Sequence, residues 1–152
     1  MNLNHPFQLL SRGALALLVL LLAAGCSAAP EAAGEEAAYP MASMQDMPAN
    51  VRSAPANVQQ AYQFAVANPE ALQQIPCYCG CGAMGHTSNY SCYVQQVGPD
   101  GEIQYDTHAL GCSICVDITR DTMRMLDEGK PIAEIQASID RTFGQYGPSN
   151  LP

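Results

Sequence analysis

Basic residues are scarce in this sequence, which contains six lysines and arginines against fourteen aspartates and glutamates. Its formal charge of −8 at pH 7 gives no attraction to the phosphates of nucleic acid or to an anionic membrane surface. We therefore expect no nucleic-acid partner. A chain this acidic can instead attract cations.

The sequence also lacks an apolar run long enough for a transmembrane helix. The apolar stretch from Ala14 to Ala24 has eleven residues, whereas a helix that spans a bilayer needs about 20. Such a stretch, preceded by Arg12, is typical of the apolar region of a secretory signal peptide.

Small residues surround a cysteine where this run ends, in the order Gly25-Cys26-Ser27. The arrangement resembles a bacterial lipobox, although Ala23 stands where leucine is usual. We predict a lipoprotein signal peptide over residues 1–25 and lipidation of Cys26. The protein would then be extracytoplasmic and anchored through its lipid to the cell membrane or the outer membrane. The alternative is an ordinary cleaved signal peptide with an incidental cysteine.

Residues 26–54 are rich in alanine, glutamate, proline and methionine and have neither helical nor strand periodicity. We interpret them as a flexible tether. Within it, Met41, Met44 and Met47 have a spacing that suits Cu(I), although such a spacing also arises by chance in low-complexity sequence. One folded domain is predicted over residues 55–152.

The remaining pattern predicts a mainly α fold, namely a small helical domain with one β-hairpin and a Cys/Gly-rich loop. Turn residues Gly98–Gly101 predict the hairpin between stretches 93–97 and 102–106. Apolar spacing and capping residues predict four helices, which begin near Asn57, Pro69, Thr107 and Pro131. The predicted helix from Thr107 extends to Glu128 and is stopped by Gly129.

Of the seven cysteines, six remain after Cys26. Cys77, Cys79 and Cys81 alternate along the chain, so they point to one side if the segment is extended. A disulfide between such close cysteines would be strained, whereas thiolates converging on one soft ion need no strain. The intervening Gly80 and Gly82 let the backbone curve around an ion.

A second group, His108, Cys112 and Cys115, would lie on one face of a helix that begins at Thr107. His86 and His108 are the only histidines after the signal peptide, and each lies within six residues of a cysteine. We expect the loop and the helix start to meet, with sulfurs about 4 Å apart, around Cu(I) or Zn²⁺. The candidate metal ligands are Cys77, Cys79, Cys81, His86, Cys92, His108, Cys112 and Cys115.

Two other functions are compatible with these residues. Cys112 and Cys115 form a Cys-x-x-Cys pair that could act as a thiol–disulfide oxidoreductase, although the strand–helix alternation of a thioredoxin-like fold is absent from the sequence. Disulfides could instead staple a structural or adaptor domain in an oxidising compartment. We favour a metal-binding module over an enzyme, and no catalytic residue is predicted.

Residues 55–147 resemble the bacterial lipoprotein family named for its PCYCGC motif, also called the CYCXC (seleno)protein family. The residues that carry the resemblance are Pro76–Gly82, Gly85-His86, Ser88-Asn89, Cys92, Tyr105-Asp106, His108, Gly111-Cys112, Cys115 and the region of Gly129. The family has no established biochemical function to carry over. Selenocysteine in the motif of some relatives implies a reactive or metal-binding position rather than a disulfide staple.

Overall fold

A computed structural model describes residues 39–152. The predicted signal peptide, the predicted lipidation site Cys26 and residues 26–38 of the predicted tether lie outside the described residues. Over residues 39–152, every helix is too short or too polar to cross a membrane.

The described part of the chain contains six α-helices and one antiparallel hairpin, which confirms the predicted fold class. The helices are α1 Ala49–Arg52, α2 Ala56–Ala67, α3 Pro69–Leu72, α4 His108–Gly111, α5 Ser113–Asp127 and α6 Ile132–Phe143. The strands are β1 Val94–Val97 and β2 Ile103–Tyr105. Short 3-10 turns cover Met44–Asp46, Cys81–Met84 and Tyr90–Cys92.

The core lies where α5 packs between α2 and α6. Residues four apart supply it from two helices, Ala61 and Ala65 from α2 and Ile135 and Ile139 from α6, and α5 supplies Ile118; all five are fully buried. Burying a side chain as large as isoleucine contributes about 1.5–3 kcal/mol. This core holds the start of α5 in a fixed position.

Turn residues end the elements where the sequence predicts. Gly101 adopts φ +81° in the hairpin turn, and Gly129 adopts φ +73° just after α5. L-residues with side chains rarely adopt this left-handed region, which favours glycine at both places. Pro131 directly precedes α6, as predicted.

The domain begins earlier than the predicted boundary at residue 55. Met47 and Val51 are each 1% exposed, and the Gln63 side-chain amide donates to the Ala42 carbonyl at 2.8 Å. The described part of the predicted tether therefore packs on the domain. Sequence periodicity missed it because the apolar residues lie on short turns that are too brief to repeat a pattern. Packing accounts for Met47, whereas Met41 is 37% exposed.

Residues 107–128 are mostly helical, as predicted, but they do not form one continuous helix, and His108 lies on a different helix from Cys115. Cys112 has φ −118° and ψ 100°, an extended conformation that separates α4 from α5. Gly111 is the last residue of α4, and glycine is a weak helix former, so the chain breaks there at little cost. The α4 turn nevertheless carries His108 to the same region as the start of α5.

Candidate metal centre

Two glycines shape the cysteine loop. Gly80 and Gly85 have φ of +84° and +91° and flank the 3-10 turn Cys81–Met84. The turn folds the loop back, so that the sulfurs of Cys77, Cys79 and Cys81 all lie within 4.8 Å of one another. The predicted convergence of these three side chains is confirmed.

Asn150 fixes the same loop from a distant part of the sequence. Its side-chain carbonyl accepts the Cys77 backbone N–H at 2.6 Å, and its backbone N–H donates to the Cys77 carbonyl at 3.2 Å. The Asn150 side-chain amide also donates to the Ser88 carbonyl at 3.1 Å. No periodicity or motif singles out Asn150 in the sequence, and it is not among the predicted site residues.

The loop and the start of α5 meet, as predicted. Cys77 Sγ lies 3.3 Å from Cys115 Sγ, and Cys79 Sγ lies 3.6 Å from the same atom. Cys92, from the turn before β1, brings its Sγ to 3.3 Å from Cys115 Sγ. Cys115 is therefore the centre of the cluster.

The other donors lie on two sides of Cys115. On one side, His108 Nε2 is 3.3 Å from Cys79 Sγ, and Cys112 completes a group whose donor atoms are within 4.8 Å of one another. On the other side, Cys81 Sγ is 3.8 Å from Cys92 Sγ, and His86 lies close to both. The structure thus brings all eight predicted site residues into one cluster.

The eight side chains of the cluster differ in their exposure to solvent. Cys79, His108 and Cys112 are partly exposed, at one edge of the cluster. The other donors are buried, namely Cys77, Cys81, His86, Cys92 and Cys115. One edge is therefore open to solvent while the rest is enclosed.

Asp106 connects the two histidines. Its Oδ2 lies 3.4 Å from His86 Nε2, and its Oδ1 accepts the backbone N–H of His108 at 2.7 Å. The Nδ1 of His86 is buried and has no hydrogen-bond partner among the described residues. A metal-binding histidine usually has one ring nitrogen beside a carboxylate, while its other ring nitrogen is free to bind the ion. The sequence reasoning did not identify Asp106 as a site residue.

A buried polar network holds the backbone of Cys115. The Tyr93 hydroxyl donates to the Cys115 carbonyl at 2.9 Å and contacts Thr119 Oγ1 at 2.7 Å. Asn89 Nδ2 donates to the same threonine oxygen at 2.8 Å. Because Tyr93, Thr119 and Asn89 are fully buried, this network fixes the first turn of α5. Asn89 stands out in the sequence only as one of the residues that carry the family resemblance, and neither Tyr93 nor Thr119 stands out there as a site residue.

The buried thiols cannot all ionise together. Hydrogen bonds from the thiols of Cys115 and Cys92 lower the pKa of Cys77, and the same contact with Cys77 raises the pKa of Cys115. Burial, and then the negative charge of Cys77, raise the pKa of Cys79 and Cys81. Two like charges 4 Å apart repel by about 4 kcal/mol at an effective dielectric constant of 20. A bound cation would remove this repulsion.

All six cysteines of the described residues are free thiols. The stapled domain considered from the sequence requires disulfides, and over residues 39–152 the structure has none. Histidines and thiols at these distances could instead hold a metal ion.

The fold and the cluster define a class of protein: a small, mainly helical domain with a convergent set of cysteine and histidine donors. Residues 15–151 match the family described as protein of unknown function with PCYCGC motif, and the chain belongs to that family. The comparisons with curated proteins and with solved structures give no match.

Proposed function

We propose that this protein is a lipid-anchored, extracytoplasmic metal-binding protein whose Cys/His cluster takes up a soft or borderline ion, Cu(I) or Zn²⁺. The observation that carries the proposal is the convergence of six thiols and two imidazoles from separate parts of the chain. Zn–S bonds near 2.3 Å at tetrahedral angles place two sulfurs about 3.8 Å apart. The sulfur contacts of 3.3–3.8 Å need little adjustment to meet that distance.

The donor types support both ions. Mixed histidine and cysteine donors are typical of zinc sites, whereas a run of contacting thiolates suits Cu(I). Metal binding would also require deprotonated thiols, whose charge the ion would neutralise without nearby lysines.

Metal analysis of the full chain tests the proposal. We expect the protein, purified in detergent under reductant and without chelator, to contain zinc or copper, or to bind one of them in titration. Cys115→Ser removes the central sulfur and should lower the bound metal, whereas Ser113→Ala, an exposed neighbour, should leave it unchanged. A reduced wild-type chain that binds neither ion would contradict the proposal.

The anchoring is tested separately. The sequence Gly25-Cys26-Ser27 after the apolar run supports lipidation of Cys26. In cells given a fatty-acid probe, the wild type should be labelled and Cys26→Ser should not. Equal labelling of the two proteins would show that Cys26 is not the lipid attachment site.

A thiol–disulfide function is the second candidate, supported by a partly exposed Cys112 whose sulfur lies within 4.8 Å of buried Cys115. Oxidation of this pair would form one disulfide and release two protons and two electrons to an external acceptor. Mass spectrometry after thiol alkylation, across a series of redox buffers, tests it. A metal-free wild type with a reversible Cys112–Cys115 bridge would favour this function over metal binding.

A further inference from the structure

The cluster contains more donors than one ion can use. Zn²⁺ in a structural protein site takes four donors, and the cluster offers eight. A single ion would therefore leave four donors behind, most of them buried. Among the buried donors, His86 has a ring nitrogen with no hydrogen-bond partner within residues 39–152. Because a buried polar atom without a partner is costly, the unused set requires an explanation.

Four donors on the open side form one complete set. The donor atoms of Cys79, His108, Cys112 and Cys115 all lie within 4.8 Å of one another, and three of these residues are partly exposed. Three sulfurs and one imidazole nitrogen are a common tetrahedral zinc combination. We name this group the outer set.

The four donors that remain are Cys77, Cys81, His86 and Cys92, which we name the inner set. Cys81, His86 and Cys92 have donor atoms within 4.8 Å of one another, and Cys77 Sγ is within the same distance of Cys81 and Cys92. All four residues are buried. His86 is 9% exposed and its Nδ1 has no hydrogen-bond partner within residues 39–152. The unpartnered Nδ1, together with the position of Nε2 beside Asp106, is a separate indication that His86 binds a ligand in the inner set.

The two sets touch through sulfur. Cys115 of the outer set lies 3.3 Å from Cys77 and 3.3 Å from Cys92, both of the inner set. Ions held in the two sets would therefore be neighbours, and a sulfur at this junction is placed to bridge them. Each set also has the same donor types, three sulfurs and one imidazole nitrogen, which is a combination that zinc takes in tetrahedral sites.

We propose that the cluster is a two-ion thiolate centre, with one ion in the outer set and one in the inner set. This inference rests on the proposed metal-binding function and adds the number of ions and their division. The outer ion exchanges readily because three of its four ligands are partly exposed. The inner ion is released slowly because its four ligands are enclosed.

Native mass spectrometry of the reduced full chain loaded with Zn²⁺ alone tests the proposal. The expected wild-type mass corresponds to two zinc ions per chain, and Cys112→Ser should retain one. Challenge with a chelator should remove zinc from the wild type in a fast and a slow phase of equal size. The fast phase should be missing from Cys112→Ser and present in the Ser113→Ala control.

The outcomes separate this inference from the function on which it rests. One zinc per wild-type chain overturns the two-ion centre and leaves metal binding in place, whereas no zinc, with no Cu(I) uptake in a parallel titration, overturns both. Two zincs in Cys112→Ser, or loss of both, overturns the division into sets. Cys112 is partly exposed, so its serine variant should fold, and circular dichroism of each variant checks this.

Discussion

Asp106 is the residue that links the two halves of the cluster, since its two carboxylate oxygens hold the His86 ring and the His108 backbone. A carboxylate beside a ligating histidine fixes the ring and increases the basicity of its other nitrogen. Asp106→Asn keeps an oxygen for the His108 N–H but removes the negative charge next to His86.

We expect Asp106→Asn to weaken metal binding by about 10–100-fold. The measurement is a competitive titration of the reduced protein against a chromophoric chelator. Asp100→Asn, at the exposed hairpin turn, removes the same charge far from the donors and should bind like the wild type. Equal affinities for all three proteins would show that the carboxylate has no part in the centre.

Gly147 lies against the backbone of the cysteine loop. A Cβ added there would stand 2.8 Å from the Tyr78 carbonyl oxygen, whereas a Cβ at Gly111 would meet nothing within 4 Å. Since Tyr78 lies between two candidate ligands, a methyl group at 147 must displace the loop that carries them.

Gly147→Ala should therefore lower the free energy of unfolding by about 1–3 kcal/mol, the usual cost of overpacking. Gly111→Ala is the matched control and should be neutral or up to about 1 kcal/mol more stable, because alanine favours the helical turn. Urea unfolding of the reduced, metal-free proteins measures both. A Gly147→Ala variant as stable as Gly111→Ala would mean that residue 147 does not pack on the loop.

At the scale of elements, the sequence predicts those with a regular pattern. The hairpin, α6 and the Gly129 stop follow from turn residues and helical spacing, and the structure has them near the predicted bounds. The meeting of the loop and α5 follows from the grouping of thiols. The break at Cys112 could not be predicted in this way, because the i, i+4, i+7 spacing of His108, Cys112 and Cys115 is the spacing of one face of a continuous helix.

The supporting contacts were beyond sequence reasoning for a different reason. Asn150 is 73 residues from the Cys77 that it holds, and Tyr93 reaches Thr119 across 26 residues. Such pairs leave no local periodicity, since each partner looks like an ordinary polar residue in its own segment. The eight candidate donors could be identified from the sequence because each is a cysteine or a histidine, and these residue types bind metals whatever their distance along the chain.

The segment before α2 offers a test of where the domain begins. Met47→Ala should lower the free energy of unfolding by about 2–5 kcal/mol, because it removes a side chain that is 1% exposed from the core. Met41→Ala, at a position 37% exposed, should change it by about 0.5 kcal/mol or less. Thermal and urea unfolding of the full chain measure both. If the two variants unfold alike, the segment does not belong to the folded domain.

At the scale of the whole molecule, the centre joins the loop, α4, α5 and the residues before β1. An ion that binds only this assembled state should stabilise it by about 2.7 kcal/mol at a free concentration 100 times its dissociation constant. We expect Zn²⁺ to raise the unfolding temperature of the reduced protein and a chelator to reverse the rise. Mg²⁺, which prefers oxygen ligands, is the control. A zinc response absent from the wild type, or kept in full by Cys115→Ser, would contradict this expectation.

The long separation between Cys77 and Asn150 has a consequence for biosynthesis. A polypeptide is synthesised from its N-terminus, so Cys77 leaves the ribosome 73 residues ahead of the Asn150 amide that orders its loop. During that interval the cysteine loop lacks the Asn150 hydrogen bonds that set its final geometry. Assembly of the loop therefore waits until residue 150 has been synthesised, after all six candidate thiol ligands of the centre.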